Sequence, residues 1–181
     1  NRRVIVFGST WKEDEEYKVN YLEKNIDENI FWIIAPHDVS NKNIERIKQS
    51  FTQPISIFSK RIIKSNILIV DTIGDLKKLY SYSEVAYVGG GMGNTGLHNI
   101  LEACVFKIPV LIGKNYRKFN ESVDLVNLGG VISVKDQNEF NNQLKKVINN
   151  KDYSLKIRDI TKNYFKSKTG ATKKVFKKIT I

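Results

Sequence analysis

The sequence predicts an α/β domain of three layers, a parallel sheet covered by helices on both faces. Short β-branched runs recur along the chain, and each is followed by polar or glycine residues and then a helical stretch. The runs are continuously apolar rather than alternating, as strands buried on both faces must be. The length of 181 residues, 41% hydrophobic and 27% charged, suits one soluble α/β unit with a sizeable core.

In order, Val4 to Phe7 reads as a strand, then Gly8-Ser9-Thr10, then a helix from Glu13 to Lys24. Ile30 to Ala35 reads as a strand, then Pro36-His37-Asp38, then a helix from Asn41 to Phe51. Pro54 breaks the chain before a short strand, Ile55 to Phe58. Ile67 to Val70 is a strand, then Asp71-Thr72 and a helix from Gly74 to Ser81. Val85 to Val88 is a strand, followed by a glycine run and a helix from Leu97 to Phe106. Pro109 to Ile112 and Val131 to Val134 are the last strands, and Gln137 to Asn149 is a helix. Residues 1–150 thus form the α/β unit, and residues 151–181 form a basic, amphipathic helical extension of the same domain. Right-handed crossovers place ligands beyond the carboxyl ends of the strands. Ser9, Thr10, His37, Asp71, Thr72, Gly89 to Gly93 and Lys114 all follow strands, so they are expected on one rim.

Composition narrows the function classes. No apolar run approaches the roughly 20 residues of a membrane helix. No signal peptide is visible. The single cysteine, Cys104, allows no intrachain disulfide and no cysteine-based zinc cluster. The net charge of +11 is uneven, with ten Lys or Arg against two Asp between Lys151 and Ile181. A solvated helix face is the plain reading of such a run, and an anionic membrane surface is the second. No helix-turn-helix, RNP or zinc-finger pattern appears, so no nucleic-acid partner is expected.

The sharpest segment runs from Gly89 to Glu102, with five glycines in its first eight positions. Glycine lets backbone amides approach an anion closely, and a helix start favours negative charge, so phosphate is the natural ligand. The segment follows a late strand and has no Gly-Lys-Ser/Thr ending, so it is neither a dinucleotide fingerprint nor a P-loop. A packing turn is the competing explanation for the glycines. Gly90, Gly91, Asn94, Thr95 and Gly96 are the candidate cradle. On the predicted helix, His98 and Glu102 share a face with Asn99 close by, and the Glu102 carboxylate could accept both ribose hydroxyls. Ser9 and Thr10 could hold a phosphate or a sugar carboxylate, or cap the first helix, and His37 could donate to a phosphate or a base. The amides of Ile73, Gly74 and Asp75 could meet a ligand, or Thr72 could cap the helix there. No carboxylates cluster with ligand spacing, so neither a metal nor a cofactor is expected.

These motifs together resemble the C-terminal domain of the 3-deoxy-D-manno-octulosonic acid (Kdo) transferases. The resemblance rests on Gly8-Ser9-Thr10, Ala35-Pro36-His37, Asp71 to Leu76 with Leu79-Tyr80, Tyr87 to Gly90, Gly96 to Glu102 and Gly170-Ala171-Thr172. Three departures mark a divergent branch. The family often has Pro-Arg-His at Ala35-Pro36-His37, Gly-Glu-Leu at Gly74-Asp75-Leu76 and Asn-Pro-Leu-Glu at Asn99-Ile100-Leu101-Glu102. One basic contact of the family pattern is therefore absent or supplied elsewhere.

The resemblance implies the Rossmann-like C-terminal half of a GT-B fold, with residues 1–150 binding the donor CMP-Kdo. It implies inverting, metal-independent transfer of Kdo to a lipid A precursor at the cytoplasmic face of the bacterial inner membrane, in lipopolysaccharide biosynthesis. The acceptor half, with membrane anchor and catalytic base, would precede Asn1, leaving this piece soluble and inactive alone. No catalytic residue is expected within it. Two other readings are open from the residues: a GT-B enzyme or sugar-nucleotide epimerase using UDP or GDP, and a non-enzymatic domain binding anionic membrane or nucleic acid through its basic tail.

Overall fold

A computed structural model describes residues 2–25, 27–168, 170 and 176. The expectations for Ala171 and Thr172, and those for the extension at 169, 173–175 and 177–181, lie outside the described residues. Seven strands form one parallel sheet: β1 (Arg3–Thr10), β2 (Ile30–Pro36), β3 (Ser56–Ile57), β4 (Ile67–Ile69), β5 (Val85–Val88), β6 (Val110–Gly113) and β7 (Val131–Val134). Their order is β3-β4-β2-β1-β5-β6-β7, and every pair is parallel. This is the doubly wound arrangement of a Rossmann-like fold.

Side-chain alternation builds the two outer layers. Ile5, Phe7, Trp32, Ile34, Val85, Tyr87 and Leu111 enter one core, against Leu22 of α1 (Lys12–Lys24), Ile47 of α2 (Asn41–Gln49) and Phe140 and Leu144. Val6, Ile33, Ala86, Val88, Val110 and Ile112 enter the other, against Tyr80 of α3 (Leu76–Tyr82), Ala103 of α4 (Leu101–Cys104) and Leu125 of α5 (Asn120–Leu128). A one-residue slip would exchange the two faces of a strand, so these pairs fix the register. Phe140 and Leu144 belong to α6 (Gln137–Asn149), and α7 (Lys151–Lys168) follows directly. Its buried Ile157 and Thr161 dock it, Thr161 Oγ1 donating to the Gly130 carbonyl at 3.0 Å.

Three elements differ from expectation. The helix expected from Leu97 begins only at Leu101, because the Asn99 side chain accepts the Leu101 amide at 3.0 Å and residues up to Asn99 run as loop. The helix expected from Gly74 begins at Leu76, since Gly74 is left-handed at φ 101°. The helix α5 was not expected at all; it ends in left-handed Gly129. No helix among the described residues is long and apolar enough to cross a membrane.

Candidate functional site

The chain leaves β1 for one half of the sheet and returns to β5 on the other side of β1, so the two strands flank the topological switch point. A ligand crevice belongs beyond their carboxyl ends. Here the backbone is unusually close-packed. A Cβ on Gly89 would stand 2.3 Å from the Ser9 carbonyl oxygen, and one on Gly90 2.0 Å from the Gly96 carbonyl oxygen. Gly113, at the end of β6, would meet the Gly91 carbonyl carbon at 2.1 Å. Ser9 itself is left-handed, at φ 51°, inside a register shift of β1 against β2. A non-glycine residue held there costs about 1 kcal/mol or more, a strain that tends to cluster at functional sites. Packing therefore accounts for several of the glycines.

One buried side chain organises this junction. Asp14, in the first turn of α1 and 1% exposed, accepts from the Tyr87 hydroxyl at 2.6 Å, the Gly90 amide at 2.8 Å and the Trp11 amide at 2.9 Å. It ties the start of α1 to the end of β5. Burial and the adjoining Asp14 carboxylate hold the Tyr87 phenol well above its ordinary pKa, so Tyr87 stays a donor. Beside it, Glu15 accepts from Thr10 Oγ1 at 3.3 Å and pairs with Arg46 of α2. Lys18, one turn further, is fully buried, and its Nζ has no hydrogen-bond partner among the described residues, only the Phe7 ring 5.7 Å away. Burial pulls it down to about 7 against the opposing pull of Glu15 and Asp14.

The glycine loop splits into two parts. The Gly90 amide is spent on Asp14, whereas the amides from Gly91 to Gly96 meet no protein acceptor among the described residues. Asn115, after β6, clamps the loop: its amide donates to the Gly91 carbonyl and its side chain to the Gly93 carbonyl, both at 2.8 Å. Asn94 and Thr95 are exposed, and Gly96 is left-handed at φ 98°. The loop then turns back, the His98 amide donating to the Gly89 carbonyl at 3.0 Å.

His98 thus sits in the loop, not on a helix face, and the expected face shared by His98 and Glu102 is not formed. The reason is the turn at Asn99. Glu102 occupies the first turn of α4, exposed, and Asn99 spends its side chain on the Leu101 amide. With only four residues in α4, the expected helix-start contribution at Leu97 is lost as well, and anion-binding capacity falls to the loop amides.

Trp11 was missed from sequence. It links the two histidines: its indole stacks on His37 at 4.5 Å between ring centroids, and its Nε1 donates to His98 Nε2 at 2.9 Å. The His37 and His98 rings lie 4.6 Å apart. An indole N–H can only donate, so His98 accepts as the neutral ring with its proton on Nδ1. Burial and the neighbouring His37 lower the His98 pKa, opposed by Asp14 and Glu102.

Of the remaining predicted positions, Ser9 is half-buried at the β1 end, and His37 is exposed at the β2 end, its amide donating to the Thr10 carbonyl at 3.0 Å. Thr10 is 1% exposed with its hydroxyl turned to Glu15, so its side chain faces inward, away from the rim. Ile73, Gly74 and Asp75 lie beyond β4, separated from β1 by β2. Ile73 is 86% exposed, and Asp75 accepts from the Thr72 hydroxyl at 2.7 Å, so Thr72 does not cap α3 directly. Asp71 is likewise taken, accepting from the Ser59 amide and hydroxyl.

No family model matches the chain. A bifunctional glycosyltransferase/methyltransferase of Fusobacterium nucleatum is 32% identical over 124 residues, 63% of this chain and 18% of that protein. A 3-deoxy-D-manno-octulosonic acid transferase of Rickettsia prowazekii is 27% identical over 184 residues, 97% of this chain and 39% of that protein. The chain therefore spans well under half the length of these relatives. Among solved structures, the C-terminal CMP-Kdo binding domain of WaaA from Acinetobacter baumannii superimposes with a TM-score of 0.71 at 23% identity, covering 88% of this chain and 89% of that one. By sequence the chain is similar to 3-deoxy-D-manno-octulosonic acid transferases, and its fold matches that of the C-terminal domains of such glycosyltransferase structures.

Proposed function

We propose that the chain is the donor-binding domain of a Kdo transferase and holds CMP-Kdo at the β1/β5 switch point. The observation that carries the reading is the loop from Gly91 to Gly96, whose unspent amides lie beyond the strand ends in a chain related to these enzymes. The monophosphate sits on those amides. Glu102 accepts the ribose hydroxyls, His98 and Asn99 border them, and Ser9 and His37 line the phosphate side. Thr10 contributes through its backbone, since its hydroxyl is taken by Glu15. Ile73, Gly74 and Asp75 offer backbone groups towards the base.

In the transfer, an acceptor hydroxyl oxygen on a lipid A precursor bonds to the anomeric carbon, and the bond from that carbon to the phosphate oxygen breaks. CMP leaves with the electron pair, and the configuration inverts without a metal. The hydroxyl proton passes to a base outside these residues. Charge grows on the departing phosphate, and fixed loop dipoles stabilise such charge without reorganising. Action at the membrane face, in lipopolysaccharide biosynthesis, belongs to the same reading.

Calorimetry on the chain with CMP, UMP and GDP tests it. CMP is expected to bind best, and Glu102→Ala to weaken it by about 1–3 kcal/mol. Equal affinity for all three nucleotides would favour a different GT-B donor. An unchanged affinity in Glu102→Ala would remove the ribose role.

A further inference from the structure

A second feature of the rim lies next to the loop. Between the glycine loop and the β6–α5 connection a cavity of about 350 Å³ opens, walled by Gly93, Asn94 and Gly96 on one side and Lys114, Arg117 and Lys118 on the other. All three cations are exposed, and none is engaged in an ion pair with another described residue. Phe119, also in the wall, is the N-cap of α5 and offers its first-turn amides no side-chain acceptor. A helix of nine residues thus adds its positive end to the three cations. The wall is held rigid, because Asn115 bonds to both Gly91 and Gly93 across the two loops. The nearby acids are Glu13, whose side chain leans on Gly93, and Glu121 in the first turn of α5. Two carboxylates against three cations and a helix start still leave a concave, net positive site continuous with the proposed phosphate cradle.

We propose that this cavity takes the carboxylate of an acidic sugar carried by the nucleotide donor. Arg117 offers a planar pair of donors that matches a carboxylate, and Lys114 and Lys118 add compact charge around it. A donor with a neutral sugar would leave that cluster uncompensated, so the cavity selects acidic sugars over neutral ones. The assignment rests on the donor reading above, but its three cations do not touch the nucleotide in that reading.

The test uses ¹⁵N-labelled chain titrated separately with free Kdo, with Kdo methyl ester and with CMP. Free Kdo is expected to shift the amides of residues 93–96 and 114–119, and the ester to bind about tenfold more weakly or worse. The combined variant Lys114→Gln, Arg117→Gln, Lys118→Gln is expected to lose Kdo binding by a similar factor while its CMP affinity changes far less. Equal binding of acid and ester, an unchanged Kdo affinity in the combined variant, or shifts elsewhere would overturn the assignment. If Kdo maps to the cavity but CMP does not bind, the carboxylate site stands and the nucleotide reading falls.

Discussion

Asp14→Ala is expected to be among the most damaging single changes at the rim. Asp14 is 1% exposed and receives three hydrogen bonds, from Tyr87 at 2.6 Å, Gly90 at 2.8 Å and Trp11 at 2.9 Å. A hydrogen bond to a charged group contributes about 1.5–3 kcal/mol net, and an orphaned buried donor loses its desolvation cost besides. Tyr87 and Gly90 are buried, so water cannot replace their acceptor, whereas the half-buried Trp11 leaves its amide a route to solvent. Two full losses and one discounted one give about 3–6 kcal/mol or more, a large share of the roughly 5–15 kcal/mol of a typical domain. Asp14→Asn should cost less, about 1–2 kcal/mol. Its oxygen can take the two amides while its NH₂ donates to a rotated Tyr87 hydroxyl, so only the charge is lost. Urea denaturation of the three proteins measures this, with m-values checked for constancy. A cost below about 1 kcal/mol for Asp14→Ala, or equal costs for both variants, would refute the bridging role.

Three further predictions follow from the same junction. Gly113→Ala places a Cβ 2.1 Å from the Gly91 carbonyl carbon and should cost about 2 kcal/mol or more, whereas Gly96→Ala meets nothing within 4 Å and pays only for its φ of 98°, about 1 kcal/mol; thermal melts giving the reverse order would contradict the packing account. Lys18→Met should stabilise the chain by about 1–3 kcal/mol at neutral pH. Because the folded Lys18 pKa is lowered to about 7 from 10.5, the folded state binds fewer protons in that window, so wild-type stability rises with pH across it; the variant should lack that slope, and an identical slope would contradict the buried, unpaired cation. His98 is a base with a lowered pKa, so it favours folding less as pH falls below 6.5, and the Trp11 indole N–H resonance should shift with a midpoint under that value; a midpoint at or above 6.5 would contradict the Trp11–His98 bond.

What the sequence made legible divides along physical lines. The strands were readable because parallel strands buried on both faces must be continuously apolar, and Val85 to Val88 needs no partner to be recognised. The rim was readable from the rule that loops after parallel strands converge. Helix starts were harder, since each depends on one local contact. Asn99 folds its side chain onto the Leu101 amide and leaves His98 in the loop, which a periodicity count over Leu97 to Phe106 cannot register. The helix α5 has no side-chain cap at Phe119, although Gly129 was a usable stop signal. Asp14 looked like an ordinary acid in a first helical turn. Its partners Tyr87 and Gly90 lie 73 and 76 residues away, and only the fold brings them together. Trp11 was hidden in the same way, its role set by two histidines on other strand ends.

The most direct measurement of the central claim is chemical-shift mapping of CMP on the ¹⁵N-labelled chain. The account predicts saturable shifts at Ser9, His37, residues 73–75 and the segment from Gly89 to Glu102, with the largest from Gly91 to Gly96. No shift at millimolar CMP in well-folded protein, or shifts confined to residues away from the strand ends, would contradict it.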